Sequence, residues 1–350
     1  MKDRPHVVVL HTAFLGDIIL AGPIAQALRG RFPNASISFV GIPAAVSILQ
    51  NHPAIDMIIE YDKKGRMRGV GGLRSIIRTI RKSRFDIAVV PHRSLRSALI
   101  PFLAGIPVRI GFDTSAGRML FTTVVPYRKD EHEVQRNLDL AVAVGASDSV
   151  EKPRLYPSGN DVDAVDAFLN NGNVGQHRFV TVAPGSVWFT KRWPEGSFVQ
   201  LVSDIAATDL PVVLVGGSDD AELCSRIVTT VNRRQVMSAA GLLSPLQSAE
   251  LIRRSIVLVS NDSAPMHMAV SVDTPVIALF GATVPEFGFA PLGEGNTILG
   301  TEGLACRPCS IHGGQRCPIV SFDCMKLITP EQVLDTVRRY LGSGRDLVKQ

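Results

Sequence analysis

Aromatic residues are scarce: 2 Trp, 4 Tyr and 15 Phe make up 6% of 350 residues. No basic segment interleaves with them, as stacking on single-stranded nucleic acid requires, so a nucleic-acid partner is excluded. Long apolar runs are missing as well. One nearly uncharged apolar stretch, Ala98 to Val108, is about half a membrane span and contains Pro101 and Pro107. The N-terminus runs straight into a strand-like segment and lacks a signal peptide's apolar core, so a cytoplasmic protein is expected. Five cysteines without export do not make a disulfide scaffold. Neither G-x-G-x-x-G nor G-x-x-x-x-G-K-[ST] occurs, which removes the usual dinucleotide and P-loop phosphate sites and weakens a dehydrogenase reading.

What is present is ample core material, with 45% hydrophobic and 20% charged residues over a length of one large or two ordinary domains. The net charge of +5 is unevenly placed. Residues 1–155 hold 22 basic and 13 acidic side chains, whereas 156–350 hold 15 and 19. That asymmetry suggests two modules, the first facing an anionic partner.

The first half alternates strands and helices. His6–His11, Ser36–Gly41, Asp56–Glu60 and Phe85–Val90 are apolar runs, with an amphipathic stretch at Asp17–Arg31. Continuous apolar strands are expected where helices cover both faces of a parallel sheet. Composition shifts to Pro, Asn and Gly between Val150 and His177, which marks a boundary. The second half restarts the pattern at Arg178–Ala183, Pro211–Val215, Ile256–Ser260 and Pro275–Phe280. Two Rossmann-like α/β domains with parallel sheets facing a central cleft are therefore expected. Pro330–Leu341 reads as a helix capped by Thr329.

Ligands of open parallel sheets bind beyond the carboxyl ends of strands. Asp17 stands there after the first strand, as a helix-stabilising carboxylate or as a general base. After the first strand of the second half, Pro184-Gly185-Ser186 with Lys191 and Arg192 forms either a phosphate cradle or a solvated connection. Asn261, Asp262 and Ser263 are cap-type residues ahead of Pro265, and His267 follows one turn into that helix, packed or functional. Gly281 and Thr283 follow the next strand, and Asp219 lies in the Gly216–Asp220 loop, where a ribose could be bonded. Several strand ends carrying ligand-compatible residues point to a nucleotide.

The segments FLGDIILAGP, APGSVWFTKRWP, SNDSAPMHMA and ALFGATVPEFGFAP, in this order, resemble the ADP-heptose:lipopolysaccharide heptosyltransferases of glycosyltransferase family 9. TKRWP, NDSAPMH and CRPCSIHGGQRCPIVSFDCM are most similar to the heptosyltransferase II branch. The resemblance implies an α/β fold of GT-B type. It implies an acceptor domain over 1–160, a nucleotide-sugar domain over 161–328, and a C-terminal helix and tail over 329–350 returning towards the first domain. It makes Asp17 the catalytic base and puts Lys191 on the donor diphosphate, with Ser186, Asp262, Ser263, His267, Gly281 and Thr283 around the donor and Asp219 near it. Ala264-Pro265 departs from relatives that have a Gly there. The implied reaction inverts the anomeric centre without a metal or cofactor, and closure of the cleft would bring Asp17 and Lys191 to one reaction. The implied partners are ADP-heptose, a Kdo- and heptose-bearing lipid A acceptor and the inner-leaflet surface, met peripherally by a monomer. A relative using another sugar or acceptor, and a non-catalytic nucleotide- or glycan-binding protein, are the alternatives.

Lys63 to Arg96 contains 11 basic residues and one acid, Asp86. The segment is either a solvated helix face with a mobile loop near Gly65–Gly72, or an acceptor and membrane surface carried by Lys63, Lys64, Arg66 and Arg68. Cys306, Cys309, Cys317 and Cys324 stand close together in sequence, readable as small hydrophobes, a conditional disulfide or a structural metal site.

Overall fold

A computed structural model describes residues 4–147, 149, 152–172, 174 and 178–342. The chain divides into two units, Met1–Tyr156 and Pro157–Gln350. In the first, the order is β1 (His6–Leu10), α1 (Leu15–Arg31), β2 (Ser36–Gly41), α2 (Pro43–Val46), β3 (Met57–Glu60), α3 (Gly69–Lys82), β4 (Ile87–Val90), α4 (Leu95–Ala104), β5 (Val108–Phe112), β6 (Thr123–Val125) and α5 (Glu133–Val142). The second continues with α6 (Gly159–Asn171), β7 (Val180–Ala183), α7 (Glu195–Ala206), β8 (Val212–Leu214), α8 (Ala221–Val231), β9 (Val236–Ser238), α9 (Pro245–Arg254), β10 (Leu258–Asn261), α10 (Ala264–Ser271), β11 (Val276–Phe280), β12 (Thr297–Gly300), α11 (Asp323–Lys326) and α12 (Pro330–Gly342).

Each unit is a six-stranded sheet, β3-β2-β1-β4-β5-β6 in the first and β12-β11-β10-β7-β8-β9 in the second. Both follow the same doubly wound order, in which the first and fourth strands of the unit are neighbours. The strands pair in parallel, with Val7 opposite Ile87 between β1 and β4, and Thr181 opposite Leu258 between β7 and β10. The central strands are buried on both faces, which explains their unbroken apolar sequence. This is the α/β architecture of GT-B type that the family resemblance implies.

The second core gathers around Trp193, which is 2% exposed, meets Phe198 edge-on and donates its indole N–H to the Ile328 carbonyl at 2.8 Å. Thr329 and Gln332 form a capping box at the start of α12, and α12 packs on α7 and β11 of its own unit. Residues 343–350 of the expected returning tail lie outside the described residues. Residues 69–72, expected within a mobile loop, form the first turn of α3. The turn before it is fixed by Asp62, whose carboxylate accepts from the Gly65 and Arg66 N–H groups at 2.9 and 2.8 Å. No described helix is long and apolar enough to cross a membrane.

The first unit holds two buried imidazoles, His11 and His52, and a half-buried one, His92. Burial lowers the His52 pKa to about 4 and, with the Lys63 and Arg93 charges, that of His92 to about 4. His11 is also held well below its ordinary value, by burial and by His92, Lys63 and Arg93. These groups are neutral when folded and protonate near pH 6.5 when unfolded, so acid favours the unfolded chain from about pH 6.5 down to about 4. Both tryptophans, Trp188 and Trp193, belong to the second unit. Acid titration is expected to reduce the far-ultraviolet circular dichroism before tryptophan emission changes. Coincident transitions would show that the imidazoles do not set the acid limit.

Candidate active site

In each unit the polar residues gather where the strand order reverses. In the first unit, the loop after β1 carries Thr12 and Phe14 and leads into α1 with Asp17 in its first turn, and the loop after β4 carries His92, Arg93 and Ser94. Thr12 Oγ1 lies 3.1 Å from His92 Nδ1, and His92 Nδ1 lies 2.8 Å from Ser97 Oγ. Lys63 donates its ammonium to Thr12 Oγ1 at 3.1 Å, while Lys64 stands 5.3 Å from the centre of the Phe14 ring. Arg93 covers Tyr127 at 4.2 Å. Among the described residues, none of Lys63, Lys64 and Arg93 has a carboxylate partner. Burial and the neighbouring cations Lys64 and Arg96 lower the pKa of Lys63, an environment that a bound anion would relieve.

Asp17 is the third residue of α1, and its Oδ2 accepts from the Phe14 N–H at 3.1 Å. The structure thus gives it the helix-stabilising contact that the sequence allowed, at the switch point where a base would also stand. Of the four expected surface cations, Lys63 and Lys64 reach this loop. Arg66 and Arg68 stay exposed at the start of α3, with Arg66 only 3.8 Å from Asp62.

The second unit repeats the arrangement at β7 and β10. Asn261 ends β10 rather than capping a helix. Its Oδ1 accepts from the Trp193 N–H at 3.0 Å, and its Nδ2 donates to the Pro184 carbonyl at 2.9 Å, so it stitches the two loops together. The cap of α10 is Ser263, with Pro265 in the first turn, and His267 is buried in that helix. Beside this stitch, Lys191 and Asp262 form an ion pair of 2.6 Å, with side chains 14% and 6% exposed. Thr283 donates to the same oxygen, Asp262 Oδ2, at 2.7 Å. Three strand ends therefore meet on one carboxylate. Ser186 is buried, and its carbonyl accepts from Arg192 Nε at 2.7 Å.

Asp219 is exposed, whereas the neighbouring Asp220 packs against Gly185, where a Cβ would run into its carboxylate. Burial raises the Asp220 pKa. Asp220 thus occupies the place beside the Pro184–Ser186 turn, a position hidden in sequence because two adjacent aspartates look alike. The D-x-D spacing associated with divalent metals occurs at Asp161–Asp163, in the first turn of α6, where Asp161 accepts from the Ser158 N–H at 2.8 Å. Among the described residues no group of three or more His, Cys, Asp and Glu is arranged to hold a metal ion, and all five thiols are free. Burial and the neighbouring thiols raise the Cys324 pKa to about 11.

The profile described as Glycosyltransferase family 9 (heptosyltransferase) matches residues 73–314. The chain belongs to glycosyltransferase family 9. It is 26% identical over 295 residues to lipopolysaccharide heptosyltransferase 2 of Escherichia coli K12, covering 80% of this chain and 84% of that one. Among solved structures, the glycosyl transferase family 9 protein of Veillonella parvula superimposes with a TM-score of 0.86 at 23% identity, covering 97% and 98% of the two chains. E. coli ADP-heptose lps heptosyltransferase II gives 0.80 at 24% identity, covering 96% and 98%. The family match spans the Lys191, Asp262 and Thr283 strand ends, while the start of α1 with Asp17 lies N-terminal to it. This family 9 glycosyltransferase therefore carries two polar switch points, one per unit. The first is cationic and the second is an internally neutralised lysine–aspartate pair.

Proposed function

We propose that this glycosyltransferase moves L-glycero-D-manno-heptose from ADP-heptose onto the lipopolysaccharide inner core as the second heptose, with inversion and without a metal. The observation that carries the reading is the convergence of Lys191, Asp262 and Thr283 at the second switch point. Asp262 occupies one direction of the Lys191 ammonium, whose remaining protons serve a diphosphate. The N-terminus of α10 adds favourable potential for the charge that grows on the leaving group. Asp17 takes the proton of the acceptor hydroxyl as the new glycosidic bond forms. The bond from the anomeric carbon to the phosphate oxygen breaks on the opposite face, and ADP departs with the electron pair.

The first unit supplies the acceptor side. Lys63, Lys64 and Arg93 at its switch point suit a phosphorylated, carboxylate-bearing sugar acceptor, and Arg66 and Arg68 suit an anionic lipid surface. Peripheral work at the inner face of the cytoplasmic membrane follows from this reading. The test is ADP release from ADP-heptose with Kdo–lipid A bearing, or lacking, the first heptose. Release with the heptosylated acceptor alone is expected, and release with neither, or equally from both, overturns the reading.

The two groups of cations are separable. Lys63→Gln with Lys64→Gln should raise the KM for a detergent-dispersed acceptor. Arg66→Gln with Arg68→Gln should leave that KM unchanged and weaken binding to anionic vesicles by about 30-fold, at about 1 kcal/mol per cation. Equal effects of both pairs on both readouts would show one undivided basic surface.

A further inference from the structure

Arg307 lies in the segment between β12 and α11 that also holds Cys306, Cys309 and Cys317. Its guanidinium is committed to backbone carbonyls. Nε donates to Gly281 at 2.7 Å, Nη1 to Thr301 at 2.8 Å, and Nη2 to Phe280 at 3.1 Å and Thr283 at 3.2 Å. Among the described residues no carboxylate pairs with it. The Cys309 N–H adds a bond to the Ala282 carbonyl at 2.9 Å. The turn that leaves β11 is thus gripped at Phe280, Gly281, Ala282 and Thr283 in succession. The planar fork of five donors reaches four carbonyls here, more than the three N–H groups of a lysine ammonium could hold.

The same segment reaches the other side of Asp262. Gly314 donates its N–H to Thr190 Oγ1 at 2.7 Å, and its carbonyl accepts from the Thr190 N–H at 3.0 Å. Gly313, at φ +81°, lies so close that a Cβ would press on Thr190 Oγ1 and Lys191 Cγ, each 3.1 Å away. One segment therefore braces both partners of the Asp262 carboxylate, Thr283 through Arg307 and Lys191 through Gly313–Gly314.

We infer that Arg307 is a positioning residue for Lys191: it fixes the Gly281–Thr283 turn so that Thr283 orients Asp262 Oδ2 towards the Lys191 ammonium. The geometry stands by itself, and its consequence for catalysis rests on the proposed donor role of Lys191.

The test uses the full chain with Arg307→Ala, Arg307→Lys, Thr283→Val and the Arg307→Ala/Thr283→Val double variant. The first readout is the acylation rate of Lys191 by acetic anhydride, followed by mass spectrometry without any ligand. The second is the reactivity of the buried Cys224 thiol, which reports general loosening. The third is ADP affinity by calorimetry. Arg307→Ala is expected to speed Lys191 acylation about fivefold with Cys224 still protected. Thr283→Val should match it, and the double variant should add little, because both act along one route. Arg307→Lys should fall between wild type and Ala, and it carries the test should the Ala variant fold poorly. An unchanged Lys191 rate, Lys191 and Cys224 rising together, or additive effects would each overturn the inference. Faster Lys191 acylation with a fall in ADP affinity of about tenfold supports both readings. Faster acylation with unaltered ADP affinity upholds the positioning role and refutes the donor role of Lys191.

Discussion

Asp17→Asn is expected to lower kcat by about 10²- to 10⁴-fold, the range that a positioned general base contributes. The substitution separates the helix contact that this carboxylate makes from the general-base role proposed for it. The amide oxygen of Asn can still accept the Phe14 N–H that Asp17 Oδ2 accepts at 3.1 Å, so the first turn of α1 keeps its cap. What is lost structurally is the interaction of a negative charge with the helix N-terminus, about 0.3–1 kcal/mol. What is lost chemically is the only basic lone pair that the side chain could offer an acceptor hydroxyl. The expected result is a near-native thermal midpoint, near-native KM values for both substrates and a collapse of turnover. A variant that turns over within about threefold of wild type leaves Asp17 as a cap alone, well below the contribution of a general base. A midpoint several degrees lower, with proportionate losses in every parameter, would show that the helix start and not the base had been damaged.

Much of this was legible because the central strands of a doubly wound sheet must be apolar on both faces. His6–His11 and Arg178–Ala183 were visible as runs, and the rule that ligands gather at strand ends led directly to Asp17, Lys191, Asp262 and Thr283. No apolar run marks β5, β6, β9 or β12, and the reason is physical. Three residues suffice for β6 and β9, and β12 alternates between half-buried and exposed positions, so none of the three presents a continuous apolar run. β5 carries Arg109, whose Nε is tied to the Leu120 carbonyl at 2.7 Å. Partner choice was equally hidden. Asn261 looks like a helix cap until β10 is seen to run through it, and its two amide bonds reach residues far away in sequence. Arg307 gave no signal at all, because binding to backbone carbonyls requires no particular residue at the other end. A sequence shows which side chains can do chemistry far better than it shows what holds them still.

The Lys191–Asp262 pair permits a second large effect to be divided between chemistry and fold. Lys191→Met preserves much of the side chain's length but removes its charge, leaving a carboxylate that is 6% exposed with Thr283 as its remaining partner. Breaking a buried pair on one side costs about 3 kcal/mol, because the surviving charge stays desolvated. Loss of one preorganised group that stabilises the leaving diphosphate lowers kcat by about 10²- to 10³-fold. Lys191→Met is therefore expected to lose both stability and turnover. Adding Asp262→Asn removes the stranded charge, while an amide of the same shape still accepts from Thr283. The double variant should regain most of the unfolding free energy, measured by urea titration of tryptophan emission, which reports the unit containing Trp188 and Trp193. Turnover should stay as low as in Lys191→Met, because the cation is still missing. Recovery of turnover along with stability would make the lysine a structural partner of Asp262 and leave the diphosphate without its proposed counter-charge. A failure to recover stability would mean that the loss comes from the altered packing at residue 191 and not from the stranded charge. The two measurements together decide whether this ion pair exists to hold the second unit together or to keep a cation waiting for the donor.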